Sequence, residues 1–349
     1  MSVISGQSPG QGPGELGEGF DAGFESEGQL PPGVGPWKLA WRRLRRNRVA
    51  MFFGFVFLLI VVVCLLAPVY STDIAHIGPN YGNPTGTFTL NGKTQFVLSQ
   101  IGIPIGPTWD IHHYFLGADD QGRDVAVRLL YGGRTSLMIG AVATLITMII
   151  GTLLGVFAGY FRGWWDAILR SANDVVWTYP AVLLGITIGT VLNIHGIGPL
   201  HGTNALVPAV VIGFVYVPYV FRPVRGQVLT LRERDFVDAA RQQGLSHWRI
   251  MTSEILPNLS STIVVFVPLI MANSILLEAG LTYLGAGVQP PNASWGTMIS
   301  DGINNDIPTA FHNVLIPGLM LVIAVMSINI FGDGLRDALD PRSKIRVAR

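Results

Sequence analysis

Asp235-Phe236-Val237-Asp238-Ala239-Ala240-Arg241-Gln242-Gln243-Gly244, running on to Ile255-Leu256-Pro257-Asn258, is a polar stretch set between two apolar segments. The small side chains of Ala239 and Ala240 allow another surface to approach closely. Gly244 permits a turn that a Cβ would obstruct. Asp235, Asp238 and Arg241 place charge where a protein partner, not lipid, would meet it. Taken alone, the string also describes a soluble helix that ends in glycine after a charged turn. Its surroundings decide between the two readings.

Those surroundings are strongly apolar. The chain has 349 residues, 49% hydrophobic and 13% charged, with a mean hydropathy of +0.44. This is too apolar for an ordinary soluble domain. A net charge of +1, with no basic stripe interleaved with aromatics, argues against nucleic acid as a partner. The single cysteine, Cys64, rules out a disulfide framework and a Cys-based metal site. His112 and His113 are adjacent and lack a spaced carboxylate or Cys to complete a ligand set. Gly92-Lys93-Thr94 fails as a phosphate loop, because Gly86 is one residue off the required spacing. With no nucleophile–base constellation either, the residues predict a chain that is not itself an enzyme and binds no cofactor or metal.

Apolar runs long enough to cross a bilayer, on the order of 20 residues, occur at about Val49–Tyr70, Thr135–Gly159, Val175–Leu192, Ala205–Phe221, Ser260–Leu281 and Asn313–Phe331, uncharged except for Glu278. Backbone polar groups in lipid must be paired, so six helices are expected. Pro180, Pro208 and Pro218 crowd the third and fourth runs, and Pro268 should kink the fifth. Nineteen of the 23 Lys and Arg residues fall before the first span, between the second and third, between the fourth and fifth, and after the sixth. The other four are Lys93, Arg123, Arg128 and Arg134. The positive-inside rule then places both termini and the Asp238 loop in the cytoplasm of a multi-pass membrane protein.

The divisions follow. Residues 1–36, rich in Gly and Pro and carrying Glu15, Glu18, Asp21, Glu25 and Glu27, read as a disordered tail. A basic helix and the first span fill 37–70, an external insertion 71–134, the core 135–333 with a loop at 222–259, and a second tail 334–349. In the insertion, Thr87–Leu90 and Lys93–Val97 flank Asn91-Gly92, the signature of a β-hairpin with a type I′ turn. Gly151, Gly155 and Gly159 form a small-residue seam, which favours close packing inside the subunit over packing against a partner.

Five stretches, in order, resemble the C-type permease subunit of dipeptide and oligopeptide ABC importers, a group that also includes nickel and glutathione carriers. They are Trp41–Arg48; Phe115-Leu116-Gly117-Ala118-Asp119-Asp120-Gln121-Gly122-Arg123-Asp124 with Arg128–Gly132; the loop from Asp235 to Pro257; Leu281–Gly285 through Gln289-Pro290-Pro291 to Ser294-Trp295-Gly296; and Gly332–Pro341. The resemblance implies an all-α membrane protein with six transmembrane helices in the type I ABC importer permease fold, plus the small external hairpin. It implies that Asp235, Asp238, Ala239, Ala240, Arg241, Gly244, Leu256 and Pro257 dock onto an ATPase. It also implies a second homologous permease, two ABC ATPase subunits or domains that hold ATP and Mg, and an extracytoplasmic peptide-binding protein in a bacterial cell membrane. Asp238 stands where the general pattern has Glu.

The motifs also have plainer readings. Gly122-Arg123-Asp124 could cap a surface helix leading into the second span, and Asp333-Gly334 could terminate the sixth. Glu278, the one acid well inside a span, suggests either a substrate path or a buried structural partner. Asn273 and Asn329 are further candidates for the path. The rival architecture, an ion-coupled secondary transporter, would require more than one deep carboxylate.

Overall fold

In the computed structural model, residues 36–90, 92–196, 198, 204–306 and 310–340 are described. The 1–35 and 341–349 segments, and the type of turn at Asn91, lie outside them. Among the described residues the chain is mostly helical, with one two-stranded antiparallel sheet.

A short helix α1 (Pro36–Arg46) leads into α2 (Arg48–Leu65). The two are separated at Asn47, whose side chain accepts from the Ala50 amide at 3.1 Å and so caps α2. A single helical turn α3 (Ala67–Val69) follows, then a π-helical turn at Tyr70–Ile74. Strands β1 (Thr87–Leu90) and β2 (Lys93–Phe96) pair Leu90 with Lys93 across a two-residue connection, as the hairpin reading requires.

Helix α4 (Val125–Phe161) is 37 residues long and begins ten residues earlier than the apolar run. The reason is Asp124, which caps the helix by accepting from the Val127 amide at 3.0 Å. The motif therefore does cap a helix, but that helix is the second span's own, with a buried first turn, and not a surface helix leading into it. Packing holds the charged first turns in place, since Arg128 is buried.

The third run is not one straight span. Helices α5 (Gly163–Thr178) and α6 (Ala181–His195) meet at 93°. Pro180 pushes Tyr179 into extended backbone (ψ 137°), which ends the first helix. The fourth run divides more gently into α7 (Leu206–Val215) and α8 (Val217–Leu231), with Pro218 in the first turn of α8. Two short helices, α9 (Asp235–Gln242) and α10 (His247–Arg249), and a π-helical turn at Ile250–Ile255 lead into α11 (Leu256–Tyr283). Helix α11 is assigned without a break through Pro268, which is buried against Gly332. A short helix α12 (Trp295–Asp301) precedes α13 (His312–Leu339). Helix α13 runs through Asp333-Gly334 instead of stopping there, because Gly334 lets it close onto Ala50 of α2.

Among the described residues, five helical stretches are long and apolar enough to span a bilayer, or six if the bent α5–α6 pair counts as one span. The bundle is built around α4. A Cβ at Gly151, Gly155 or Gly159 would lie 2.8, 2.9 and 2.7 Å from Val220, Val224 and Val228 of α8, and about as close to α8 carbonyls. The glycine seam thus packs inside the subunit at three successive turns, where near-contact of backbones maximises dispersion. Around this spine lie three large apolar clusters. One joins the seam to the loop, one joins α2, α4, α12 and α13, and one joins α6, α7 and α11.

Candidate functional sites at the two ends of the bundle

Between α8 and α11, the chain forms a packed knob. Val237 and Ala240 turn inward from α9 and join Tyr160, Val228, Ile250, Met251, Ile255 and Leu259 in one cluster. Asp235, Asp238, Ala239 and Arg241 face outward, as do Phe236 and Trp248. Asp235 and Asp238 sit in the first turn of α9, where the positive end of the helix dipole favours acids. Arg241 pairs with Asp238 at 2.9 Å. Leu256 and Pro257 are exposed at the start of α11.

Two adjacent alanines thus have opposite jobs. Ala239 offers a small outward surface, whereas Ala240 is an internal packing residue. Gly244 has φ +75° and nothing within 4 Å of an added Cβ. The turn therefore needs glycine for its left-handed backbone and not, as the sequence suggested, because a side chain would be obstructed. Polar ties fix the knob to the helix ends around it. The Tyr160 hydroxyl lies 2.8 Å from His247 Nδ1, Arg232 donates to the Tyr160 carbonyl, Arg162 pairs with Glu233, and Ser246 caps α10.

At the opposite end, next to the insertion, polar groups are buried. The Glu278 carboxylate is fully enclosed. It accepts from Ser136 Oγ of α4 at 2.8 Å and from Thr282 Oγ1 at 2.9 Å. Each hydroxyl is used twice. Ser136 Oγ accepts from the Trp295 amide at 3.2 Å, and Thr282 Oγ1 from the Val288 amide at 3.0 Å. The buried Trp295 ring donates to the Leu129 carbonyl at 3.1 Å, and Ser294 and Thr297 form a capping box at the head of α12. Glu278 therefore clamps α4, α11 and α12 together. Its oxygens accept from neighbouring hydroxyls within the subunit.

Beside the clamp lies an ion network. Arg123 Nε is 2.6 Å from Asp119 Oδ2, and its Nη2 is 3.2 Å from Asp301 Oδ2. Arg128 reaches the same two carboxylates at 3.6 Å and donates to the Pro79 carbonyl at 3.3 Å. Burial pushes the Asp120 and Asp124 carboxyls above the usual carboxylate range. The network ties the insertion to the first turns of α4 and to the end of α12.

The structure does not gather the three path candidates into one cluster. Asn273 is half-buried on α11, with its carbonyl accepting from the Tyr216 hydroxyl at 3.3 Å, and Asn329 is half-buried on α13. Sequence reasoning missed Ser136, Thr282 and Asp301. Asp301 left a trace: it is an acid in a connecting piece, 282–312, that holds no Lys or Arg. No cluster of three or more metal-ligating side chains occurs among the described residues.

Residues 151–345 match the family described as binding-protein-dependent transport system inner membrane component, and residues 35–83 match the N-terminal TM domain of oligopeptide transport permease C. The chain belongs to the first of these families. The permease is 35% identical over 311 residues to the dipeptide transport system permease protein DppC of Alkalihalophilus pseudofirmus, which covers 89% of this chain and 91% of the relative. It is 33% identical over 309 residues to the glutathione transport system permease protein GsiD of Pectobacterium atrosepticum, covering 88% and 92%. It is also 36% identical over 313 residues to a putative peptide transport system permease protein of Brucella suis, covering 90% and 94%. Its fold is shared with a chain of the MetNI methionine ABC transporter in an inward-facing conformation, at a TM-score of 0.50 and 18% identity over 61% of this chain and 96% of that one. The permease is accordingly a membrane transport component of the ABC importer class, working with partner permease and ATPase subunits, and an ion-coupled secondary transporter is not favoured.

Proposed function

We propose that this permease lets di- or oligopeptides across the cell membrane and is driven through the α9 knob. The names of its relatives support a peptide or peptide-like cargo. The distribution of Lys and Arg supports a cytoplasmic knob and an external insertion. In this reading a second, similar permease completes the path, two ATPase subunits holding ATP and Mg dock below, and an extracytoplasmic binding protein delivers cargo above.

The observation that carries the proposal is the division of labour within α9. Its inner face, Val237 and Ala240, is packed, whereas its outer face, Asp235, Asp238, Ala239 and Arg241, is presented on a rigid support. Reversing a two-state gate from mostly one form to the other takes about 5–6 kcal/mol of differential binding. A packed knob continuous with α11 can pass such a force to the bundle. A flexible linker would dissipate it.

The test is peptide-stimulated ATPase activity of the reconstituted importer carrying Ala239→Asp or Gly244→Val. Both variants should insert yet lose stimulation, the first by blocking contact and the second by straining the turn, which costs a non-glycine residue about 1–2 kcal/mol. Ala240→Asp should also fail, but through loss of the knob's own packing. Stimulation that survives both Ala239→Asp and Gly244→Val would remove the docking role.

A further inference from the structure

We infer that α1 carries a binding site for the headgroups of anionic phospholipids. The helix has three rows at i, i+4 spacing. Ala40 and Leu44 are buried, Leu44 in a cluster with Ala338 and Leu335 of α13, and Arg43 donates to the Asp340 carbonyl at 3.2 Å. Next to that row, Trp37 and Trp41 are about half exposed, at 50% and 52%. Beyond them Lys38, Arg42 and Arg46 form the third row, Arg45 continues the tryptophan row, all four are exposed, and no acidic residue occurs in α1. Arg45 lies 5.8 Å from the Trp41 ring centroid.

The occupant follows from position and charge. Helix α1 is one residue away from α2, an apolar span whose Val49, Phe52 and Phe55 are exposed. It therefore lies at the level where hydrocarbon gives way to headgroups. Indole rings favour that boundary. A basic row beside them faces the phosphate layer, and guanidinium forks match phosphate oxygens with two parallel donors. Arg42, Arg43, Arg45 and Arg46 line one open concavity. Among the described residues, Arg42, Arg45 and Arg46 form no ion pair that would compete for them. Orienting the chain in the membrane would not by itself require the tryptophan row to lie between the packed and the basic ones.

The test is native mass spectrometry of the full chain in detergent, titrated with phosphatidylglycerol or phosphatidylcholine of equal chain length. The expected result is preferential retention of phosphatidylglycerol. R42Q/R45Q/R46Q should cut that retention at least tenfold and leave phosphatidylcholine unchanged. Lys38, Arg43 and Arg48 remain in that variant to preserve orientation. A charge-matched change elsewhere, R342Q/K344Q/R346Q, should cost less than twofold. Unchanged phosphatidylglycerol retention in the α1 variant, or equal loss in both variants, would overturn the site. So would retention that appears only when the acidic residues 1–34 are removed, since that segment would then be the natural occupant. The proposal rests on the membrane reading above, but the readout depends on neither sidedness nor ATP hydrolysis, so it can fail while the docking role stands.

Discussion

The two ends of the bundle hold their polar residues in opposite ways. At the insertion end, Glu278, Arg123, Arg128 and Trp295 are buried and matched to partners within the subunit. At the knob, Asp235, Asp238 and Arg241 are exposed, and only Val237 and Ala240 are committed inward. Residues of the first kind hold the subunit together, and in the proposed reading residues of the second kind are what a partner meets. Motif residues alone do not reveal which kind they are, since both ends carry charge, glycine and proline.

Substitutions should therefore separate folding from coupling, and the expected effects on folding run from large to nil. Gly155→Leu should be the most damaging, because a Cβ already falls 2.9 Å from Val224 and 3.0 Å from the Phe221 carbonyl. The variant should fail to accumulate as inserted protein, measured as the monodisperse fraction after detergent extraction. Glu278→Ala comes next. It leaves the Ser136 and Thr282 hydroxyls without their acceptor and should cost about 2–4 kcal/mol, read as a fall in thermal midpoint. A smaller loss is expected for Arg123→Gln, about 1–3 kcal/mol, because Arg128 still bridges Asp119 and Asp301. Protease sensitivity of residues 71–124 should rise in step. Ala239→Asp should leave the thermal midpoint within about 0.5 kcal/mol of the parent while stimulated ATPase falls at least tenfold. A destabilised Ala239→Asp, or an Arg123→Gln that uncouples without destabilising, would erase the contrast.

Much of the bundle was legible because lipid imposes a blunt code. The apolar runs that became α2, α11 and α13 stand out by length alone, and the hairpin by its Asn-Gly and alternation. The 93° bend at Tyr179–Pro180 was hidden by the apolar residues on both sides of it, since hydropathy does not register a broken helix. The first turns of α4 were missed for the opposite reason: Arg128 looks external until a buried network and a cap account for it. The glycine seam was assigned correctly to packing within the subunit. Glu278 was singled out as costly, but sequence could not choose between a path and a clamp. The clamp depends on Ser136, 142 residues away in the chain, which only the fold brings near. The loop presents two neighbouring alanines as equivalents, and a helical turn of about 100° per residue separates them.

The seam between α4 and α8 has a wider bearing. Where two helices touch through glycine and valine at three consecutive levels, neither can slide or rotate past the other without steric collision. The pair must then travel as one stiff plank whenever the gate moves, and adaptation to a new cargo would have to occur on the faces of α6, α11 and α13 that point away from it.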